Sequence, residues 1–466
     1  MIDALKKIFT LDEKAEAQSE DNPLAPTKPE HRQGTGPMLA LAFGWGFLIT
    51  GLLTGGNMAA GMQFWPDMIE AAFVGNLVNF VVGAAIGYMG YKTACNSGLL
   101  YRFVYGAKGV YLPIIFLALL TTGWQGIVVG AFGSVWVADS SSVAYYAVAL
   151  FAGLLYTATT FFGVKGIQKV SVPSVAILVV VGIIAAYLSV DKLGGLDGFL
   201  QSSRDNAAKK PISFIDGVNL VIGSWIVGAV VMAEYTRFAK TWWVALAIPF
   251  IVLIISQYFL QVIGAMGATA SGEADFTKYM SIANQGFILG GLALIGMSLA
   301  LWTTGDANLY LPAVQTASTF RMPQKAMVLV WGTLGTILGL GIYSRFMEWI
   351  LVLASIVPPL AGPAIVDYYL VHRVDYRTSD LGRLHKVNWA AIAAALIGMI
   401  SALPPYAWDF FGLARFLPEG WKSLTPDGWV DALWGLLVSM IAYTIIYYGA
   451  AAVGTKIGYS AVEKKG

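Results

Sequence analysis

Charged residues divide the chain into long uncharged, mainly apolar stretches. These run over 33–66, 71–91, 109–138, 140–164, 170–190, 217–233, 241–272, 279–305, 326–344, 349–366, 387–408 and 432–455. A helix that crosses a bilayer needs roughly 20 consecutive apolar residues. None of the stretches alternates as a β-barrel strand does, and helices are the other way to satisfy the backbone in lipid. The pattern predicts an all-α integral membrane protein with 12 transmembrane helices, called spans 1 to 12 below.

Composition sharpens the class. The chain has 466 residues, 57% hydrophobic and 12% charged, with a mean hydropathy of +0.67. Soluble domains carry about 25% charge, so this much apolar surface belongs in a membrane. A net charge of +2 gives no reason to expect a nucleic-acid partner. Cys95 is the single cysteine, so there is no disulfide framework. His31, His372 and His385 lie outside the apolar stretches, so no zinc or haem cluster is expected. The first 37 residues are polar and charged, unlike a signal peptide. Met1–Leu11 reads either as a short interfacial helix or as part of a mobile cytoplasmic tail. With the N-terminus inside, 21 of the 29 Lys and Arg residues fall on the cytoplasmic side. That asymmetry predicts a multi-pass protein of the inner (cytoplasmic) membrane with both termini cytoplasmic. The sequence shows no oligomer interface, and a functional monomer is expected.

Three spans carry candidate chemistry. Span 1 is 34 residues long, and its glycines include Gly44, Gly46, Gly51, Gly55, Gly56 and Gly61, with a polar break at Thr54–Asn57. Span 6 is 17 residues long and is punctuated by Gly217, Gly223, Ser224 and Gly228. Glycine permits either unwinding near a ligand or close helix packing. Interrupted helices at corresponding places in two halves point to a transporter built from inverted repeats. The expected organisation is a cytoplasmic tail, 1–37, then a ten-helix core, 38–372, with five-helix repeats at about 38–190 and 213–372. Helices 11 and 12 follow at 387–455, then a cytoplasmic tail at 456–466. In span 8, Ala300, Thr303 and Thr304 share one helical face. Such hydroxyls cap their own backbone or ligate a small hard cation, and we read them as cation ligands. Trp124 beside Gly123, and Trp225 in span 6, are either packing residues or flat faces for a planar ligand. The carboxylates Glu234, Asp306, Glu348 and Asp367 sit in or at the edge of the membrane. Glu234 suits an ion pair with Arg237, and Asp306 suits capping a neighbouring helix N-terminus.

In sequence order, several short motifs resemble the nucleobase–cation symporters, in the cytosine permease-like branch. They are Thr54-Gly55-Gly56 with Gly75-Asn76, Gly106-Ala107-Lys108-Gly109 with Leu112-Pro113, Gly123-Trp124 and Phe161-Phe162-Gly163. Gly223-Ser224 with Ala233–Phe238, Trp302-Thr303-Thr304 with Asp306, and Pro358-Pro359 with Asp367-Tyr368 complete the set. The resemblance implies a leucine-transporter-like five-plus-five inverted repeat with two extra helices, working by alternating access. It implies a sodium site made by the carbonyls of Gly44, Phe47 and Ala300 and the hydroxyls of Thr303 and Thr304. It also implies a planar substrate held between Trp124 and Trp225, with Ser224 and Val227 at the ring edges. The chain departs from cytosine permeases at Thr121 and Gly305, where those carry amides, and at Trp225 and Val227. Gln125 or Thr121 is expected to replace the missing ring-edge contacts.

The function expected is sodium-coupled secondary active uptake of a planar heterocycle, most simply a nucleobase such as cytosine. Alternatives on the same scaffold are a purine, a thiamine-precursor pyrimidine or a hydantoin-like ring, or coupling to protons. No cofactor is expected beyond Na+ as coupling ion. Rival readings are an amino-acid or betaine carrier, a membrane enzyme, or a channel. An enzyme is disfavoured because the spans show no nucleophile–base pair.

Overall fold

Helices follow the uncharged stretches because a backbone in lipid must bond to itself. The computed structural model describes residues 8–13, 22–162, 165–416, 418 and 422–461, so the expectation for Met1–Leu11 falls largely outside it. In chain order the helices are α1 (Thr35–Gly46), α2 (Thr50–Ala59), α3 (Ile69–Thr93), α4 (Ser97–Tyr105), α5 (Tyr111–Trp136) and α6 (Val143–Phe161). There follow α7 (Lys165–Lys192), α8 (Leu196–Lys209), α9 (Phe214–Val230), α10 (Ala233–Thr236), α11 (Trp242–Phe250), α12 (Tyr258–Ser271) and α13 (Phe276–Tyr279). The last are α14 (Ile282–Phe320), α15 (Gln324–Gly339), α16 (Phe346–Ile356), α17 (Pro358–Ile365), α18 (Trp389–Ala402), α19 (Pro405–Phe410) and α20 (Asp431–Ala452). Among the described residues, nine helices are long and apolar enough to cross a membrane, and the bent pair α1–α2 makes a tenth. The shorter α15 and α18 supply spans 9 and 11, which completes twelve.

The packing sorts the core into two groups. Spans 1, 2, 6 and 7 pack together through α2 on α12, α3 on α9 and α11 on α3. Spans 3, 4, 8 and 9 pack together through α14 on α5, and α15 on α5 and α6. Spans 11 and 12 pair with each other, and α20 leans on α17. Contact between the two groups is thinner, and it is there that the candidate residues gather.

Span 1 bends by 43°, but not at Thr54–Asn57. The turn opens at Phe47–Ile49, with Phe47 at φ −83° and ψ 59°. Its cause lies far along the chain: Gln257 Nε2 donates to Gly46 O at 2.6 Å and ends α1. Gln257 is placed by the π-helical turn Ile251–Gln257 between α11 and α12. Thr54–Asn57 stays helical because its side chains bond back, Thr54 Oγ1 to Thr50 O at 2.9 Å and Asn57 Nδ2 to Leu53 O at 2.8 Å. Gly55 provides close approach instead, since a Cβ there would lie 1.8 Å from Gln261 O. Span 6 likewise breaks after its glycines, at Val231–Met232, where Tyr101 Oη donates to Val230 O at 2.6 Å.

Span 10 continues from α17 through a π-helical turn, Val366–Val371, into a polar knot. Asp367 is fully buried and accepts from Tyr443 Oη at 2.5 Å and from the Tyr376 hydroxyl. His372 Nδ1 lies 3.1 Å from Asp367 Oδ2. Burial opposes the charged imidazolium, but the Asp367 carboxylate outweighs it and raises the His372 pKa above its ordinary value. A raised folded pKa means stabilisation that is complete below the unfolded value and is lost as pH rises through the folded one. The melting temperature should therefore fall as pH is raised above the ordinary imidazole value of about 6.5. His372→Gln should flatten that part of the profile, as a melting series across pH would show.

Candidate functional site

One cavity lies on the seam between the two helix groups. It is lined by Trp45, Leu48, Thr50, Thr121, Trp124, Ser224, Trp225, Val227, Gly228, Asn308 and Leu311. Spans 1 and 6 supply one wall, and spans 3 and 8 the other.

Five of the seven candidate substrate residues line it: Trp124, Trp225, Ser224, Val227 and Thr121. Trp225 meets Trp45 edge-on, with ring centroids 4.9 Å apart. Gly228 leaves room for that ring, because a Cβ there would come within 2.5 Å of Trp225. Trp45 in turn lies 4.0 Å from Tyr235, on the side of the basic Arg237–Lys240 loop. On the opposite side Phe346 lies edge-on to Trp124 at 6.0 Å. Phe346 also lines a second cavity, with Asn57, Asp275, Tyr343, Arg345 and Glu348. Aromatic rings thus bound the first cavity at both ends.

Gln125 and Gly305 stand elsewhere. Gln125 follows Trp124 by one residue, so the helical turn of about 100° points it away. It packs on Gly335 of α15, and its amide is buried without a hydrogen bond among the described residues. Gly305 lies under the Tyr156 ring, where a Cβ would come within 2.4 Å of a ring carbon, so no amide fits there. The residues the sequence reading missed are Trp45, Leu48, Thr50, Gly228, Asn308 and Leu311. Asn308 was findable, since it follows Thr304 by one helical turn.

The oxygen set proposed for a cation straddles the same seam. Thr303 Oγ1 and Thr304 Oγ1 both donate to Ala300 O, at 3.0 and 2.6 Å, which gathers three oxygens on one turn of α14. Each hydroxyl spends its proton there and keeps lone pairs for a cation. On span 1 the carbonyls of Gly44 and Phe47 lose their usual donors. Leu48 N–H bonds Gly46 O at 2.9 Å and Gly51 N–H bonds Leu48 O at 3.1 Å. α1 packs against α14, and Phe47 and Ala300 belong to one buried cluster.

The remaining carboxylates are engaged. Asp306 does not cap a helix N-terminus. It accepts from Thr159 Oγ1 at 2.5 Å and Thr160 Oγ1 at 3.3 Å at the end of α6, while α14 runs on to Phe320. Glu234 accepts from Ser97 N–H at 3.0 Å at the start of α4. Glu348 pairs with Arg345. No group of three or more His, Cys, Asp or Glu suited to a metal occurs among the described residues.

Residues 30–414 match the family model described as permease for cytosine/purines, uracil, thiamine, allantoin. The chain belongs to this permease family. It is 30% identical to the cytosine permease of Escherichia coli (strain K12), over 82% of this chain and 89% of that one. It is 25% identical to the hydantoin permease of Microbacterium maritypicum, over 86% and 88%. Its fold is that of a nucleobase-cation-symport-1 family transporter solved in a closed conformation with bromovinylhydantoin bound. That match has a TM-score of 0.74 at 20% identity, covering 94% of this permease and 97% of that transporter. A protein solved in complex with L-phenylalanine shares the fold at a TM-score of 0.55 and 14% identity, covering 89% of this chain and 97% of that one. The protein is thus a multi-pass membrane transporter, and its relatives are permeases rather than enzymes.

Proposed function

We propose that this permease takes up an uncharged planar heterocycle, most simply a nucleobase such as cytosine, by sodium-coupled alternating access. The observation that carries this reading is the shared seam: the aromatic cavity and the oxygen set each draw on span 1 and span 8. Sodium held by Gly44, Phe47, Ala300, Thr303 and Thr304 would join the two groups and favour one arrangement. A ring bound beside Trp124 and Trp225 would bias the same equilibrium, and that shared bias is what coupling means. The relatives named for cytosine and for hydantoin support a flat ring as cargo. A purine or a thiamine-precursor pyrimidine would use the same faces. The Lys and Arg asymmetry supports both ends being cytoplasmic, and we take the permease to work in the inner membrane as a monomer with sodium as its coupling ion.

Melting of the purified protein with cytosine, uracil, purines, hydantoin and amino acids tests the cargo. Flat rings should raise the melting temperature in sodium and amino acids should not. Stabilisation by amino acids alone would replace this reading with an amino-acid carrier.

A further inference from the structure

The polar groups on the cavity wall differ in what they offer a ligand. Thr121 Oγ1 donates to Leu117 O at 2.8 Å, and Ser224 Oγ donates to Val221 O at 2.7 Å. A hydroxyl has one proton and two lone pairs. With the proton held by the preceding turn, Thr121 from α5 and Ser224 from α9 line the cavity with lone pairs left to accept. Gly228 adds a third acceptor. The N–H that would cover its carbonyl, that of Met232, bonds Ala229 O at 3.3 Å instead. Asn308 also lines the cavity and carries both a donor and an acceptor. No Asp, Glu, Lys, Arg or His lines the cavity.

We propose that Thr121 and Ser224 are the specificity-determining residues of this cavity, selecting an uncharged ring that presents an N–H to each of two walls. The proposal rests on the flat-heterocycle reading and deepens it. A carbonyl or an unprotonated ring nitrogen at either place would set lone pair against lone pair in a buried site, and neither group would be satisfied. A carboxylate or ammonium would be buried with no partner charge. The departure from amide-bearing cytosine permeases at Thr121 then has a physical meaning. An amide can turn to donate or accept, whereas a back-bonded hydroxyl accepts.

The experiment is equilibrium binding to the purified full-length protein in sodium. The probes are cytosine, uracil and hydantoin, each beside its singly N-methylated forms. In the unmodified protein, methylation at a recognised N–H should weaken binding about tenfold, as expected for one lost hydrogen bond. Thr121→Val keeps the volume and removes the acceptor, so it should cancel the penalty at one ring position. Ser224→Ala should cancel it at the other. Thr121→Ser should keep the penalty, and melting curves confirm that each variant folds. A penalty that persists in Thr121→Val would mark steric exclusion and overturn the proposal, as would methylated and parent rings binding equally. If no ring binds the unmodified protein, the flat-heterocycle reading itself fails.

Discussion

Replacing Thr303 and Thr304 together by alanine is expected to abolish sodium stabilisation and sodium-stimulated uptake while leaving the fold in place. Two of five proposed oxygen ligands would be lost. A hydrogen bond to a charged group contributes about 1.5–3 kcal/mol, and a cation–hydroxyl contact of that order, lost twice, weakens sodium binding by at least about a hundredfold. The cost to the apo fold is small. Both hydroxyls donate to Ala300 O, which is already an acceptor of the helix, so their removal strands no partner. Alanine is also a good helix residue. The measurement is the melting temperature titrated with sodium, alongside uptake into proteoliposomes. A double variant with unchanged sodium dependence would refute the cation assignment.

Trp124→Ala should reduce ring binding below detection. The indole is 5% exposed and forms a wall of the cavity. Its loss removes a stacking face, and truncating a buried tryptophan costs about 3–5 kcal/mol of stability besides. Trp124→Phe separates the two effects, because it keeps a flat face and most of the packing. That variant should retain binding with an affinity lower by about tenfold. Both variants should keep their sodium response, since Trp124 is outside the oxygen set. Binding calorimetry with the best ring of the panel, together with a sodium melt of each variant, measures this. Undiminished ring binding in Trp124→Ala would make the indole a packing residue.

Much of the fold was legible because lipid allows so few solutions. Gaps between charges gave the spans, and the structure put a helix in each. Local breaks were harder to read. Gly55 and Gly56 marked span 1 as unusual, yet they serve close packing against span 7 and the loop after it. The turn opens at Phe47–Ile49 because of the amide of Gln257, about 210 residues away. No local pattern encodes that contact. Span 6 repeats the lesson, since Val230 is capped by Tyr101 rather than broken at Gly228.

Legibility within the site followed the same rule. Trp124, Thr121, Ser224, Trp225 and Val227 stood out as aromatic or polar groups on interrupted or glycine-flanked helices, and all five face the cavity. Gln125 stood out for the same local reason and faces α15 instead, because the facing of a one-residue neighbour depends on tertiary packing. Gly305 is decided by the ring of Tyr156, contributed by another span. Asn308 was legible in principle, because it stands one helical turn beyond Thr304 on the same helix.

If sodium and the ring act across one seam, each must strengthen the binding of the other. Reciprocal titration tests this most directly: ring affinity in sodium and in a non-binding cation, and sodium affinity with and without the ring. The expected result is the same enhancement in both directions, about fivefold or more. Ring affinity that is identical in sodium and in the inert cation would contradict the account.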